Sequence, residues 1–297
     1  MQNAKLFVTG TRSVCGSPDS KAASSRRSPS RALLFKRMAL AGLLAGFTLA
    51  PTTMRADEHS FYFARQACQG LPSYAVLKSA LSGAQAMSNG GFGFNMWATI
   101  VNRDGVVCAV AFTGTDRGAQ WPGSRAISAQ KANTANAFSL PGLALSTANL
   151  YSAVQPGGSL YGLQHSNPID PAVAYGGDPS NYGQPNDPMV GQRIGGVNVF
   201  GGGLALYNSS HVLIGAIGVS GDSSCADHNI AWRTRHALNL DFVPAGVSGD
   251  STHPDNIVYD ITNPAGFPIG VSAGGWGHPA CSDAATNVAT TQLHATQ

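Results

Sequence analysis

Glutamate is almost missing from this chain: Glu58 is the only one in 297 residues, and charged residues make up 11% of the sequence. A pair of glutamates for general acid and base work is therefore excluded, and any carboxylate chemistry falls to aspartate. Basic clusters are scarce as well. Residues 1–56 hold nine of the 18 Lys and Arg with one acid, Asp19, whereas residues 57–297 carry 9 basic and 14 acidic residues, a net of −5. An acidic segment without a Lys/Arg stripe excludes a nucleic-acid-binding surface. Long apolar runs are missing too. The longest, Met38–Ala50, has 13 residues and falls short of a bilayer span.

That run follows Arg31, Lys36 and Arg37 and precedes Pro51 and a small-residue site at Ala56. This is the three-part pattern of a secretory leader, so residues 1–56 are expected to be a signal segment that leaves no stable membrane insertion after cleavage. Arg26-Arg27 is followed by Pro29, where a twin-arginine signal needs apolar residues. The expected location is periplasmic or extracellular. Of five cysteines, Cys15 lies in the leader. Cys68, Cys108, Cys225 and Cys281 remain, with three possible disulfide connectivities in an oxidising compartment. Cys108 sits in an apolar run and has the alternative of a buried free thiol. Their spacings fit no zinc template.

Residues 57–240 read as one domain and 241–297 as an irregular extension clamped back onto it, ending in a frayed tail. Helical spacing runs over Val76–Met87 and stops at Asn89-Gly90-Gly91. Met96–Phe112 contains two β-rich arms around Asp104-Gly105, a hairpin. Trp121–Phe138 is an Ala-rich helix whose N-terminal amides suit an anion, and Pro141–Tyr151 predicts a further short helix. Residues 155–196 are dense in Gly, Pro, Asn and Asp, an insertion of the length usually found in lids and assembly arms. The stretch 201–235 predicts strand Leu204–Tyr207, a polar turn, strand His211–Val219 and a helix opening near Ser224. Gly215, Gly218 and Gly221 line the second strand's exit beside Ser220, Asp222, Ser223, Asp227 and His228. A site is expected at that corner. The order of elements is that of an α+β domain.

Three segments in this order resemble the GlcG/HbpS-like haem-binding family. They are IVNRDGVVCA at 100–109, with Asn102 where the family commonly has Asp, SAQKANTANAF at 128–138, and GGLALYNSSHVLIGAIGVSGDSSCADHNIAWR at 202–233. The resemblance covers roughly residues 73–238, interrupted by the 155–196 insertion. It implies a profilin-like layered domain, an antiparallel sheet of about five strands flanked by helices, assembling into homo-oligomers. It also implies a haem or related tetrapyrrole ligand and a non-catalytic carrier or sensor. A structural assembly protein of the same fold is the alternative.

Haem iron takes His, Met, Cys or Tyr. His228 is the expected metal ligand, with Asp227 beside it. Ser224-x-x-Asp227 also has the spacing of a capping-box variant. Ser220 and Asp222 complete the polar corner, Arg233 and Arg235 suit propionates, and His165, near Tyr161, is a candidate distal group. His253, His278 and His294 have no motif support. Gly221-Asp222-Ser223-Ser224 resembles the surroundings of a serine-hydrolase nucleophile, but Ser224-Cys225 stand where Gly-Gly is needed. Gly218-Val219-Ser220-Gly221-Asp222 does not complete a nucleophile elbow either. Serine reagents are accordingly expected to leave the chain unlabelled.

Overall fold

The computed structural model describes residues 66–265 and 270–297. The expected leader, Cys15 and Arg26-Arg27 lie outside the described residues.

Four strands form one antiparallel sheet: β1 (Trp97–Asn102), β2 (Val107–Phe112), β3 (Gly203–Tyr207) and β4 (Leu213–Ser220), in the order β2-β1-β4-β3. Alternation along the strands sends side chains to two buried faces. Ala98, Ile100, Leu204, Leu206, Ile217 and Val219 pack under helices α1 (Tyr74–Gln85) and α3 (Ser224–Ala237). Trp97, Val101, Val107, Val110 and Ala216 pack under α2 (Ser124–Phe138). The result is a three-layer α+β domain, the class expected, with four strands in the main sheet rather than about five. Beside the edge strand β2, the irregular segment around Gln192 makes the ladder contacts: Gly191 N–H donates to Val107 O and Val107 N–H to Gln192 O, each at 2.8 Å.

Helix α2 lies close to the sheet because both surfaces are small. Ala126, Ala129, Ala132 and Ala135 form its buried face. A Cβ on Gly218 of β4 would come within 2.0 Å of Ser128 O and 2.4 Å of Ala132 N, so any side chain there pushes the helix off. The stretch expected to be a helix at 141–151 instead forms 3₁₀ turns at Thr147–Leu150 and Ser152–Val154.

The insertion is ordered by single helical turns at Leu163–Ser166 and Pro171–Ala174 and by a buried ion pair, Arg125 Nε donating to Asp187 Oδ2 at 2.9 Å. The C-terminal segment departs from the frayed tail expected. Asp283–Thr291 is a fourth helix, α4, capped by Ser282 and burying Ala285, Val288 and Ala289. Its apolar residues at i, i+3 and i+4 complete the core beside α3. Asn229 Nδ2 donates to Ala285 O at 3.1 Å and Trp232 Nε1 to His294 O at 2.9 Å.

Disulfides join Cys68 to Cys108 and Cys225 to Cys281, so Cys108 is bonded rather than a free thiol. The second closes a span of 56 residues and ties the extension to the start of α3. Loops of this length constrain the unfolded chain by about 2–4 kcal/mol. The Cys225→Ala/Cys281→Ala double variant should lose that much stability in urea unfolding. No helix among the described residues is long and apolar enough to cross a membrane.

Candidate functional site

The glycine-lined strand exit forms a pocket of about 350 Å³ that collects Ser220, Asp222, Ser224 and Asp227 with Trp121, Ile127, Lys131 and Phe200. Three of the expected corner residues thus meet. Lys131, from the middle of α2, donates to Asp227 Oδ2 at 2.7 Å and to Val219 O at 3.0 Å. Both partners of that pair are buried. Burial pushes the Asp227 carboxyl up to about 6 against the pull of the Lys131 ammonium, and burial lowers Lys131. The N-cap of α3 is Ser223, whose Oγ accepts the Ala226 N–H at 3.3 Å. The expected cap at Ser224 is therefore displaced by one residue. Asp227 instead accepts the Asp222 N–H at 2.9 Å. Asp222 in turn accepts the N–H groups of Phe92 and Gly93 at 2.9 and 2.8 Å. It fixes a loop whose Phe94 ring meets Trp121 edge-on at 5.3 Å.

His278 enters the same corner from the extension. Its Nε2 lies 2.8 Å from Ser224 Oγ and its Nδ1 lies 2.7 Å from Pro279 O. No sequence signal marked it, because the partners stand 54 positions apart and are brought together only by the fold and the Cys225–Cys281 bond.

His228 does not face the pocket. It is fully buried, with Nε2 3.0 Å from Asn256 Oδ1, the oxygen that also accepts the Ile257 N–H at 2.8 Å. Burial pushes it down to about 4. The extension covers it, so a metal reaches neither ring nitrogen without unpacking that segment. His165 is exposed on the Leu163–Ser166 turn and does not line the pocket. Arg235 is locked to Asp255 inside the protein. Arg233 donates through Nη1 to Ser88 O and Asn89 Oδ1, both at 2.6 Å, and belongs to a different depression.

That depression is a groove of about 620 Å³ between α1 and the end of α3, lined by Ala75, Val76, Ser79, Ala80, Gly83, Met87, Arg233, His236 and His294. Small residues of α1 give it a shallow floor suited to a flat ligand. His236 Nδ1 lies 2.7 Å from Asp241 Oδ2, and the His236 side chain is one-third exposed while Asp241 is buried. A carboxylate at Nδ1 fixes that proton and leaves Nε2 as the free lone pair, the arrangement usual for metal-binding histidines. The His294 ring stacks on His236 at 4.4 Å, and Met87, 49% exposed, adds a thioether. His236 and Asp241 stand on either side of the helix end, and sequence patterning gives that spacing no weight. A third cavity of about 500 Å³, beside the start of α2, offers Tyr175 and Tyr182 with Arg117 and Arg125 but no histidine.

Two buried neutral histidines should lower the protein's stability in acid. Burial holds His228 and His278 at about 4, below the unfolded value of about 6.5. The unfolded chain therefore takes up protons first, and stability present above pH 6.5 is lost as pH falls toward 4. At about 1.4 kcal/mol per tenfold change in proton affinity, each contributes about 3 kcal/mol. Asp227, raised to about 6, acts with the opposite sign between about 3.9 and 6 and offsets about 3 kcal/mol. Urea unfolding at pH 7 and pH 4 should differ by about 3 kcal/mol net, and His228→Gln should flatten the profile.

The model of the family described as haem degrading protein, HbpS-like, matches residues 73–235, more than half of the chain. Among solved structures, the chain is similar to the PduOC:haem complex at 22% identity, covering 61% of this chain and 94% of that one with a TM-score of 0.36. It is also similar to protein ORFY of Klebsiella pneumoniae, described under the family model DUF336, at 24% identity, covering 56% and 90% with a TM-score of 0.37. No curated protein matches.

Proposed function

Because this chain belongs to the HbpS-like family of haem degrading proteins, we propose that it binds haem in the groove between α1 and the end of α3. The observation that carries this reading is His236, an accessible imidazole whose Nδ1 is held by a buried carboxylate at 2.7 Å. The donor set fits the group: imidazole and thioether are two of the ordinary haem-iron ligands, and His236 and Met87 line one groove. His236 would bind the iron through Nε2, with Asp241 fixing the orientation of its ring through Nδ1. Met87, which lines the same groove, would offer a second donor in its thioether. Arg233 would pair with a propionate. The groove volume lies within the range of small-molecule sites. Bound haem would supply the iron redox and oxygen chemistry that no side chain here carries.

Ser220, Asp222 and Asp227 then act away from the haem, holding the opposite corner together. The acidic composition of residues 57–297 and the two disulfides favour an exported carrier or sensor, since such bonds persist in oxidising compartments. Hemin titration followed in the Soret region tests the proposal. A saturable, shifted band at one hemin per chain supports it. A band that never saturates, as with non-specific hemin stacking, removes the ligand and leaves an assembly protein of the same fold.

A further inference from the structure

We propose that Ser224 and His278 form a nucleophile and general base for hydrolysis of small carboxylic esters, in the pocket at the exit of β4. This activity is independent of haem binding and sits on a different part of the domain. His278 Nδ1 lies 2.7 Å from Pro279 O, and a carbonyl only accepts, so the Nδ1 position carries the proton. Nε2 is then the lone pair, and Ser224 Oγ, 2.8 Å away, must donate to it. Nucleophile, base and orienting group follow in the order that activates a serine, with a backbone carbonyl in the orienting role. Gly201 N–H donates to Ser224 Oγ at 2.8 Å, which stabilises negative charge on that oxygen as the proton leaves.

The surroundings suit the reaction. Ser224 is half-buried and lines the pocket, whereas His278 is 3% exposed, under the Tyr151 ring at 5.0 Å. Lys131, whose ammonium has two of its three protons bonded to Val219 O and Asp227, lines the same pocket and supplies positive charge for an oxyanion. The N-cap of α2, Gly123, has no side chain to occupy the helix's first amides, and Gly123 and Ser124 line the pocket too. Trp121, Ile127 and Phe200 make the walls apolar, and about 350 Å³ limits the substrate to a short or aryl ester. The Cys225–Cys281 bond holds His278 in place from three residues away.

In the first half-reaction Ser224 Oγ bonds to the ester carbonyl carbon while His278 Nε2 takes the hydroxyl proton. The C–O bond to the alcohol then breaks and the alcohol leaves with that proton. In the second, His278 deprotonates water, which attacks the acyl-serine. The carboxylic acid departs and Ser224 regains its proton. Burial, with a smaller push from the Lys131 charge, holds His278 down at about 4. The other titratable groups around it are Tyr151, whose ring lies 5.0 Å away, and His228 of α3, which repels a second positive charge. The base form is therefore complete above about pH 5, and the rate should reach half its plateau near pH 4 rather than near 6.5.

The test is labelling of the full chain with a fluorophosphonate and hydrolysis of p-nitrophenyl butyrate. A phosphonyl adduct mapped to Ser224, with kcat/KM lowered about 100-fold or more in Ser224→Ala and in His278→Gln, supports the dyad; general-base loss typically costs that much or more. An adduct on another residue overturns it, as does the absence of any adduct with hydrolysis unchanged in Ser224→Ala. The contact is then only a polar tie at the start of α3. Labelling of the unmutated protein decides the question even where a variant fails to fold. Dithiothreitol sufficient to open Cys225–Cys281 should abolish labelling.

Discussion

Hemin titrated into the His236→Ala variant is expected to give no saturable Soret shift at concentrations that saturate the unmutated chain, a loss of affinity of about 100-fold or more. The expectation follows from His236 being the one groove imidazole with a fixed tautomer, its Nδ1 held 2.7 Å from Asp241. Asp241→Asn should cost about 10–100-fold, the usual effect of removing the group behind a metal-bound histidine. It should also move the Soret maximum, because the imidazole loses electron density. Asp241 also accepts from Gln297 at 2.9 Å, so melting of each variant separates lost binding from lost packing. Met87→Leu keeps the groove's volume and removes the thioether, and a spectral change there with affinity retained would make Met87 the second axial ligand. An unchanged band in His236→Ala would sink the groove. Attention would then turn to the cavity lined by Tyr175 and Tyr182, the next set of iron donors. The same titration on His228→Ala should show binding retained, since that ring is buried against Asn256 and does not line the groove.

Arg235→Met is the substitution expected to cost most in stability. Arg235 and Asp255 are both fully buried and meet through two parallel hydrogen bonds, at 2.6 and 2.8 Å. Arg235 also donates to Ala205 O at 3.2 Å and lies over the Trp232 ring at 4.6 Å. Removing the guanidinium leaves a carboxylate without a partner in the interior, and breaking a buried pair in this way costs about 3–5 kcal/mol. That is a large share of the 5–15 kcal/mol total typical of a domain. The double variant Arg235→Met/Asp255→Leu removes both charges and should recover most of the loss, because apolar replacements of buried pairs are often neutral. Urea midpoints for the two variants check this. A single variant within about 1 kcal/mol of the unmutated protein would show that water reaches Asp255.

Much of the domain was legible before any coordinates. The β-rich arms on either side of the Asp104-Gly105 turn specify the hairpin. The alanine spacing in α2 and Gly218 in β4 specify a close helix–sheet contact. Four apolar strands with one helical and one further helical cover are a local pattern, and local pattern is what sequence carries. Two calculations from spacing went astray. Ser224-x-x-Asp227 suggested the cap one residue late, because both Ser223 and Ser224 satisfy the same preference and only the chain's path chooses between them. The tail after Asp283 has few large apolar residues, yet Ala285, Val288 and Ala289 suffice when α3 offers a surface to receive them.

The site divided the same way. Ser220, Asp222 and Asp227 converge as their neighbourhood in sequence requires, within one strand exit and the following turn. His228 stands in that neighbourhood too, but a helix turns each successive residue by about 100°, and its face is the one the extension covers. His278 and His236 carried no motif, since their partners, Ser224 and Asp241, are joined to them by a disulfide-held crossing in one case and by a helix end in the other.

The sequence by itself determined the α+β class, the hairpins, the Ala-faced helix, the family and the acidic character of residues 57–297, because each follows from residue type at short spacing. Only the tertiary structure decided that Cys225 pairs with Cys281 and which histidines are enclosed. Those outcomes depend on how the 241–297 segment folds back across α3, and long-range packing of that kind leaves no periodic trace in the chain.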